Sequence, residues 1–213
     1  MELGFRPRLE RGAHEMTKKM LIGYATESGS TAEVAHFIGD TLTKVGAQVT
    51  IHSVQKIESI DAYDAVWIGS PIINGKCKPE IKRLMRSHMQ GLRIKPVAFF
   101  ITCMRLSQVE GDPLPEVPLF IDPIFGEPKP RKAMTFLEKN HSVMMYLKSI
   151  LKPAKGIRPV SISFFKGVLD YNTINFMMTL LFKFMARFDG LEPGDYRNWE
   201  AMGSWARKTH SAL

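Results

Sequence analysis

Met20-Leu-Ile-Gly-Tyr-Ala-Thr-Glu-Ser-Gly-Ser-Thr31 begins as an apolar strand and ends in a run of hydroxyls around one glycine. Directly after it, Val34, Phe37, Ile38, Leu42 and Val45 recur at about 3.6 residues per turn, the stripe of an amphipathic helix over residues 30–45. A strand that runs straight into a helix puts that helix's free N–H groups and positive dipole end at the turn. A nucleotide P-loop would read GxxxxGKS/T and a dinucleotide loop GxGxxG, and Thr26-Glu27-Ser28-Gly29-Ser30-Thr31 is neither. It has no lysine to set against a β- or γ-phosphate. What it offers is four hydroxyls, one glycine and a helix N-terminus, a set suited to one terminal phosphate monoester. A capped turn is the plainer reading, since Ser and Thr are favoured N-caps, but one hydroxyl would suffice for that.

The rest of the chain places this turn in a repeating pattern. Residues 19–25, 47–53, 64–70, 96–103 and 158–165 read as five strands, and three of these are almost continuously apolar, as in parallel strands buried on both faces. Helical periods fill residues 30–45, 79–90, 131–152, 173–188 and 197–209. Strands alternating with helices predict a doubly wound α/β sheet, which takes ligands at the carboxyl ends of its strands. Residues 104–130 are the exception. They carry Pro113, Pro115, Pro118, Pro123, Pro128 and Pro130, six of the 13 prolines, and show no period. A loop of this length, without a regular element and set over or beside the ligand, is the expectation.

Composition bounds the partners. The chain has 213 residues, 45% hydrophobic and 23% charged, which suits one globular domain over 18–213 with residues 1–17 as a loose leader or tag. Its two cysteines, Cys77 and Cys103, have no metal or CxxC spacing, so a reducing cytoplasmic setting is expected. The six histidines are scattered, and no metal site is proposed from them. The net charge of +8 suits anionic partners, but no lysine-arginine block interleaved with aromatics argues for nucleic acid.

Thr26–Thr31 resembles the FMN phosphate loop of the flavodoxins, with the pattern T/S-x-T/S-G-x-T. Two further loops resemble the same family in the same order. Ser70-Pro71-Ile72-Ile73-Asn74-Gly75 follows the third strand, where the second flavin loop would lie. Thr102-Cys103-Met104 follows the fourth, at the start of the third flavin loop. The resemblance implies a flavodoxin-like doubly wound five-stranded parallel sheet of order 2-1-3-4-5, with a long Pro-rich insertion after strand 4. It also implies FMN as cofactor, with Asn74-Gly75 near the reactive edge of the flavin. An ordinary Asn-Gly turn is the alternative reading of that dipeptide. Many flavodoxins place aromatics against the ring where this chain has Ile72, Ile73, Cys103 and Met104.

The last third separates this chain from short, acidic carrier flavodoxins. Phe165-Lys-Gly-Val-Leu-Asp-Tyr171 and Gly194-Asp-Tyr-Arg-Asn-Trp-Glu200 resemble segments of the menaquinone-dependent protoporphyrinogen oxidase branch. That resemblance implies an FMN oxidoreductase that oxidises a small molecule such as a porphyrinogen and hands electrons to a quinone. The alternative is an electron-carrier module that docks on a protein redox partner. No catalytic acid or base is assigned, because the flavin can carry the hydride chemistry itself. Within the second segment, Asp195 is expected to cap the last helix and pair with Arg197, while Trp199 and Trp205 pack inward. Residues 174–188 are apolar around most of a helix, broken by Asn175, Thr179, Lys183 and Arg187. They are too short and too charged to span a bilayer, which leaves core packing, a homodimer face or peripheral contact with the inner face of the membrane.

Overall fold

The structure, a computed structural model, describes residues 17–111, 116–170 and 192–213. The expected leader apart from Thr17, the apolar stretch 174–188 and the helix read over 173–188 lie outside the described residues. Each of the five expected strands forms within two residues of its sequence boundaries at either end, save the third, which runs on to Ile73. They are β1 (Lys19–Tyr24), β2 (Gln48–Ser53), β3 (Ala65–Ile73), β5 (Val97–Thr102) and β7 (Pro159–Phe165). All pair in parallel in the order β2-β1-β3-β5-β7, so every carboxyl end lies along one edge. The apolar runs of β3 and β5 are buried almost throughout, whereas β2, at the edge, is half-exposed.

Two strands of this sheet were not expected. β4 (Lys76–Cys77) folds back antiparallel on the end of β3, with Ile72 opposite Cys77 and Ile73 opposite Lys76. β6 (Leu119–Ile121) adds a sixth parallel strand outside β7, with Ile121 opposite Phe164. This corrects the expectation that residues 104–130 hold no regular element. Pro118 and Pro123 bracket the strand without interrupting it, and an edge strand needs hydrogen bonds on one side only. The insertion is tied further by Gln108 Nε2 to Gly126 O (2.9 Å), Lys129 N to Gln108 O (3.0 Å), and an ion pair from Lys129 to Glu138 (2.7 Å).

The helices cover both faces. On one side, α2 (Pro79–Ser87), α3 (Met89–Ile94) and α5 (Val143–Leu151) pack on Leu21, Ile68, Phe99, Ile101 and Phe164. On the other, α1 (Ser30–Lys44) and α6 (Trp199–Ser211) pack on Met20, Ile22, Trp67, Phe100 and Phe165. Trp67 and Trp205 meet with ring centroids 4.9 Å apart, and the Trp205 indole N–H donates to Ser161 Oγ at 2.9 Å. Truncating Trp67, which is fully buried, would cost roughly 3–5 kcal/mol.

Helix boundaries needed three corrections. Residues 131–152 are not one helix: after a 3-10 turn at Arg131–Ala133 come α4 (Phe136–Asn140) and then α5. The break follows from two competing starts. Thr135 caps α4 in a reciprocal capping box with Glu138, and Ser142 accepts the N–H of Met145 to start α5. Likewise the pattern over 79–90 is interrupted at His88, where α2 gives way to α3. Val45 falls just past the end of α1 and is exposed, so the buried stripe ends at Leu42.

Candidate functional site

β1 delivers the chain to Ala25, whose N–H donates to Gly69 O at 3.0 Å. The turn then closes on itself: Thr26 Oγ1 accepts the Gly29 N–H at 2.9 Å. Gly29 is the N-cap of α1, with φ of 93°, a left-handed conformation that costs an L-residue roughly 1–2 kcal/mol. A glycine cap has no side chain, and among the described residues no side chain caps α1 from elsewhere. The first N–H groups of a helix have no partner within it, so this end is open to an anion. Ser28 is exposed and Ser30 half-buried, and their hydroxyls have no side-chain partner among the described residues.

Thr31 is placed differently. It is fully buried, and its Oγ1 lies 2.8 Å from Thr102 Oγ1 at the end of β5. Glu27, exposed, forms an ion pair with Lys78 just ahead of α2. So the lysine missing from the first loop stands opposite its glutamate, brought in from another part of the chain.

The second loop is a hairpin. Asn74 and Gly75 have φ of 49° and 73°, both left-handed, as a two-residue type I′ turn requires. The turn residues the sequence singled out therefore shape the tip of the β3–β4 hairpin. Ser70 is committed beneath it: buried, it donates to Pro71 O at 2.9 Å and accepts the Lys78 N–H at 3.1 Å. Pro71 is buried as well, opposite Thr102. The hairpin is docked on α5 through Cys77, whose N–H donates to Ser149 Oγ at 2.8 Å. Ile72 stays half-buried and Ile73 is 43% exposed at the hairpin end.

In the third loop, Thr102 and Cys103 are buried and Met104 is half-buried. The Cys103 N–H donates to Phe165 O at 3.0 Å, and burial pushes its thiol far above the ordinary range, only partly offset by the charge of Lys166. The three sequence-singled segments thus share the carboxyl edge of one sheet. Within them, Ser28, Ser30, Ile73 and Asn74 face outward or half so, while Ser70, Pro71, Thr31, Thr102 and Cys103 build the floor.

Sequence reasoning missed a fourth strand end. Gly167, just past β7, is buried, and a Cβ built there would sit 3.8 Å from Thr102 Cβ and 3.9 Å from Ser30 Oγ. Beside it, Lys166 Nζ lies over two rings, 5.3 Å from the centroid of Tyr196 and 5.8 Å from that of Phe125. Asp122, at the end of β6, is fully buried; its Oδ1 accepts from Ile124 N (3.2 Å) and Asn198 Nδ2 (3.0 Å). Its Oδ2 is buried with no partner among the described residues.

The segment before α6 locks against α1. After β8 (Val168–Leu169) pairs with β9 (Gly194–Asp195), Arg197 grips Asp195 with Nε (2.8 Å) and Nη2 (2.6 Å) and reaches Glu33 with Nη1 (2.6 Å). The guanidinium also lies 4.4 Å over the Trp199 ring. Hydrogen bonding to Arg197 holds the Asp195 carboxyl below the usual range. The expected pairing of Asp195 with Arg197 is present, but the cap is not Asp195. Asn198 accepts the Ala201 N–H at 3.1 Å and caps α6, because the helix begins at Trp199 and Asp195 lies three residues ahead of the cap position, in β9. Trp205 is buried, and Trp199, half-buried, packs on Phe37 at 4.9 Å.

The donor set fits a ligand with one phosphate and an apolar ring. The open end of α1 and two unengaged serine hydroxyls suit the phosphate, and Ile72, Ile73 and Met104 supply apolar surface on the same edge. The family model described as flavodoxin domain matches residues 21–193. Protoporphyrinogen IX dehydrogenase [quinone] of Escherichia coli strain K12 is 31% identical over 84 residues, 38% of this chain and 46% of that protein. The chain therefore spans about half the length of the curated relatives it matches. Among solved structures, the oxidised flavodoxin 2 of Bacillus cereus aligns with a TM-score of 0.46 at 16% identity, covering 92% of this chain and 99% of that one. A Lactobacillus acidophilus flavoprotein in complex with FMN aligns at 0.44 and 18%, covering 70% and 93%.

Proposed function

The chain belongs to the flavodoxin domain family, and on that premise we propose an oxidoreductase whose FMN is held by its phosphate at Thr26–Thr31. The cofactor is FMN. Its ring is assigned to the edge formed by Ser70–Gly75 and Thr102–Met104. The observation that carries this reading is the α1 N-terminus, which opens at the carboxyl edge without a side-chain cap and with Ser28 and Ser30 unengaged beside it. When bound, the flavin supplies hydride and single-electron chemistry.

The protein's own residues do the rest. Ser28, Ser30 and the first N–H groups of α1 bind the phosphate, while Thr26 holds the turn through Gly29. The Thr31–Thr102 contact fixes the phosphate loop to the floor of the ring site, and the docked hairpin fixes the ring's other border. Ile72, Ile73 and Met104 exclude water from the ring.

The finer assignment is oxidation of a porphyrinogen with electrons passed to a quinone. It is supported by the 84-residue likeness to the E. coli enzyme, by the net charge of +8, and by the Phe- and Met-rich sequence 174–188. Among the described residues no helix is long and apolar enough to cross a membrane. In this reading the quinone is met by peripheral contact, which the net charge of +8 supports, each cation near an anionic surface contributing on the order of 1 kcal/mol. The test is anaerobic oxidation of protoporphyrinogen IX by the flavin-loaded protein with a menaquinone analogue. Turnover supports the enzyme. No turnover, with fast electron exchange to a soluble redox protein, makes the chain an electron-carrier module instead.

A further inference from the structure

Lys166 stands where three separate parts of the chain meet. It follows β7 directly. Phe125 reaches it from the Pro-rich insertion and Tyr196 from the segment before α6. Both ring centroids lie within the ~6 Å over which an ammonium is attracted to an aromatic face. Neither ring neutralises the charge, and no carboxylate pairs with Lys166 among the described residues. Lysines on a surface this basic have water to turn to, yet this one is half-buried against two rings.

The position is held from behind. The Tyr196 N–H donates to Gly167 O at 3.1 Å, and its hydroxyl donates to Glu192 O at 2.7 Å, which fixes the ring. Phe125 sits in a 3-10 turn whose start is fixed by Asp122, which is buried and bonded to Asn198. Phe165, just before Lys166, pairs with Thr102 across the sheet, a Cβ built on Gly167 just after it would lie 3.8 Å from Thr102 Cβ and 3.9 Å from Ser30 Oγ, and the charge of Lys166 acts on Cys103. The ammonium therefore borders the same edge assigned above to the flavin.

We propose that Lys166, walled by Phe125 and Tyr196, is the residue that recognises the carboxylate of an apolar, ring-bearing acid presented to the flavin. The ammonium takes the carboxylate and the rings take the apolar body next to it. This rests on the flavin oxidoreductase reading for the position of the reacting ring, and it deepens that reading by naming the substrate class and the residue that selects it. It also gives the insertion and the Gly194–Glu200 segment a shared purpose, since each supplies one wall.

The test compares matched acids and neutral analogues by fluorescence quenching on the flavin-loaded protein. The probes are 1-pyrenebutyrate against 1-pyrenebutanol, and protoporphyrin IX against its dimethyl ester. The wild-type protein should bind each acid roughly tenfold or more tightly than its neutral partner, as expected for a charge-assisted contact. K166M should bind both members of a pair alike, K166R should restore most of the preference, and F125L should weaken both members equally. K166Q serves if K166M does not fold. A K166M or K166Q protein that keeps the preference overturns the proposal, as does a wild-type protein that shows none or binds neither probe. Flavin content is read from the visible spectrum of the same samples. Loss of the preference in a variant that keeps its flavin supports Lys166 even if protoporphyrinogen proves not to be oxidised.

Discussion

The Thr31 and Thr102 hydroxyls lie 2.8 Å apart in the interior and join the helix start after β1 to the end of β5. One donates and the other accepts, so removing either leaves a buried polar atom without its partner. T31V and T102V should each cost about 1–3 kcal/mol in urea unfolding of the apoprotein. The double variant should cost clearly less than the sum, because two apolar groups replace the pair. Strict additivity would mean that the two hydroxyls do not depend on one another.

Gly29 should resist substitution for a backbone reason alone. Nothing lies within 4 Å of a Cβ built there, but φ is 93°. G29A should lower stability by roughly 1–2 kcal/mol, with G29N milder because Asn tolerates the left-handed region. An alanine variant as stable as the wild type would show that the turn can adopt another shape.

Acid should loosen α4 locally. Hydrogen bonds from Lys129 and from Thr135 lower the Glu138 pKa from 4.5 to about 2. A carboxyl lowered by folding stabilises above its unfolded pKa and loses that contribution as pH falls through the folded one. The protection of the Phe136–Asn140 amides, taken as the ratio of the intrinsic to the observed exchange rate at each pH, should therefore fall between about pH 4.5 and pH 2. In E138Q, the protection should lose most of this pH dependence. Equal acid sensitivity in the two proteins would place the titrating group elsewhere.

Cys103 should be inert while the protein is folded. Burial raises its thiol far above neutral pH, and the thiolate is the reactive form. A chromogenic disulfide reagent at pH 8 should modify it only as fast as the protein unfolds. Rapid labelling of Cys103 in the native protein would contradict its enclosure.

Much of this was legible in the sequence because the signals were local. The apolar runs Ala65–Ile68 and Val97–Ile101 are buried on both faces, and continuous hydrophobicity reports such burial directly. Asn74-Gly75 and Thr26–Thr31 are short patterns whose turn geometry follows from residue type. β6 was hidden because a strand of three residues, set between Pro118 and Pro123, is too short to show an alternation. The buried state of Asp122 and the ring pair around Lys166 arise from residues far apart in the chain, which no period records. Asp195 failed as a cap for a related reason: it pairs in β9 with Val168, distant in the chain, and the helix starts only at Trp199, with Asn198 as its cap.

The central claim is a site for one phosphate at the start of α1, and the most direct measurement is the affinity of the apoprotein for FMN against riboflavin. Two or more charge-assisted hydrogen bonds to the phosphate should favour FMN by roughly 100-fold or more. S28A and S30A together should remove a large part of that preference while leaving riboflavin binding unchanged. Equal affinity for FMN and riboflavin, or an FMN preference untouched by the paired serine variant, would contradict the assignment.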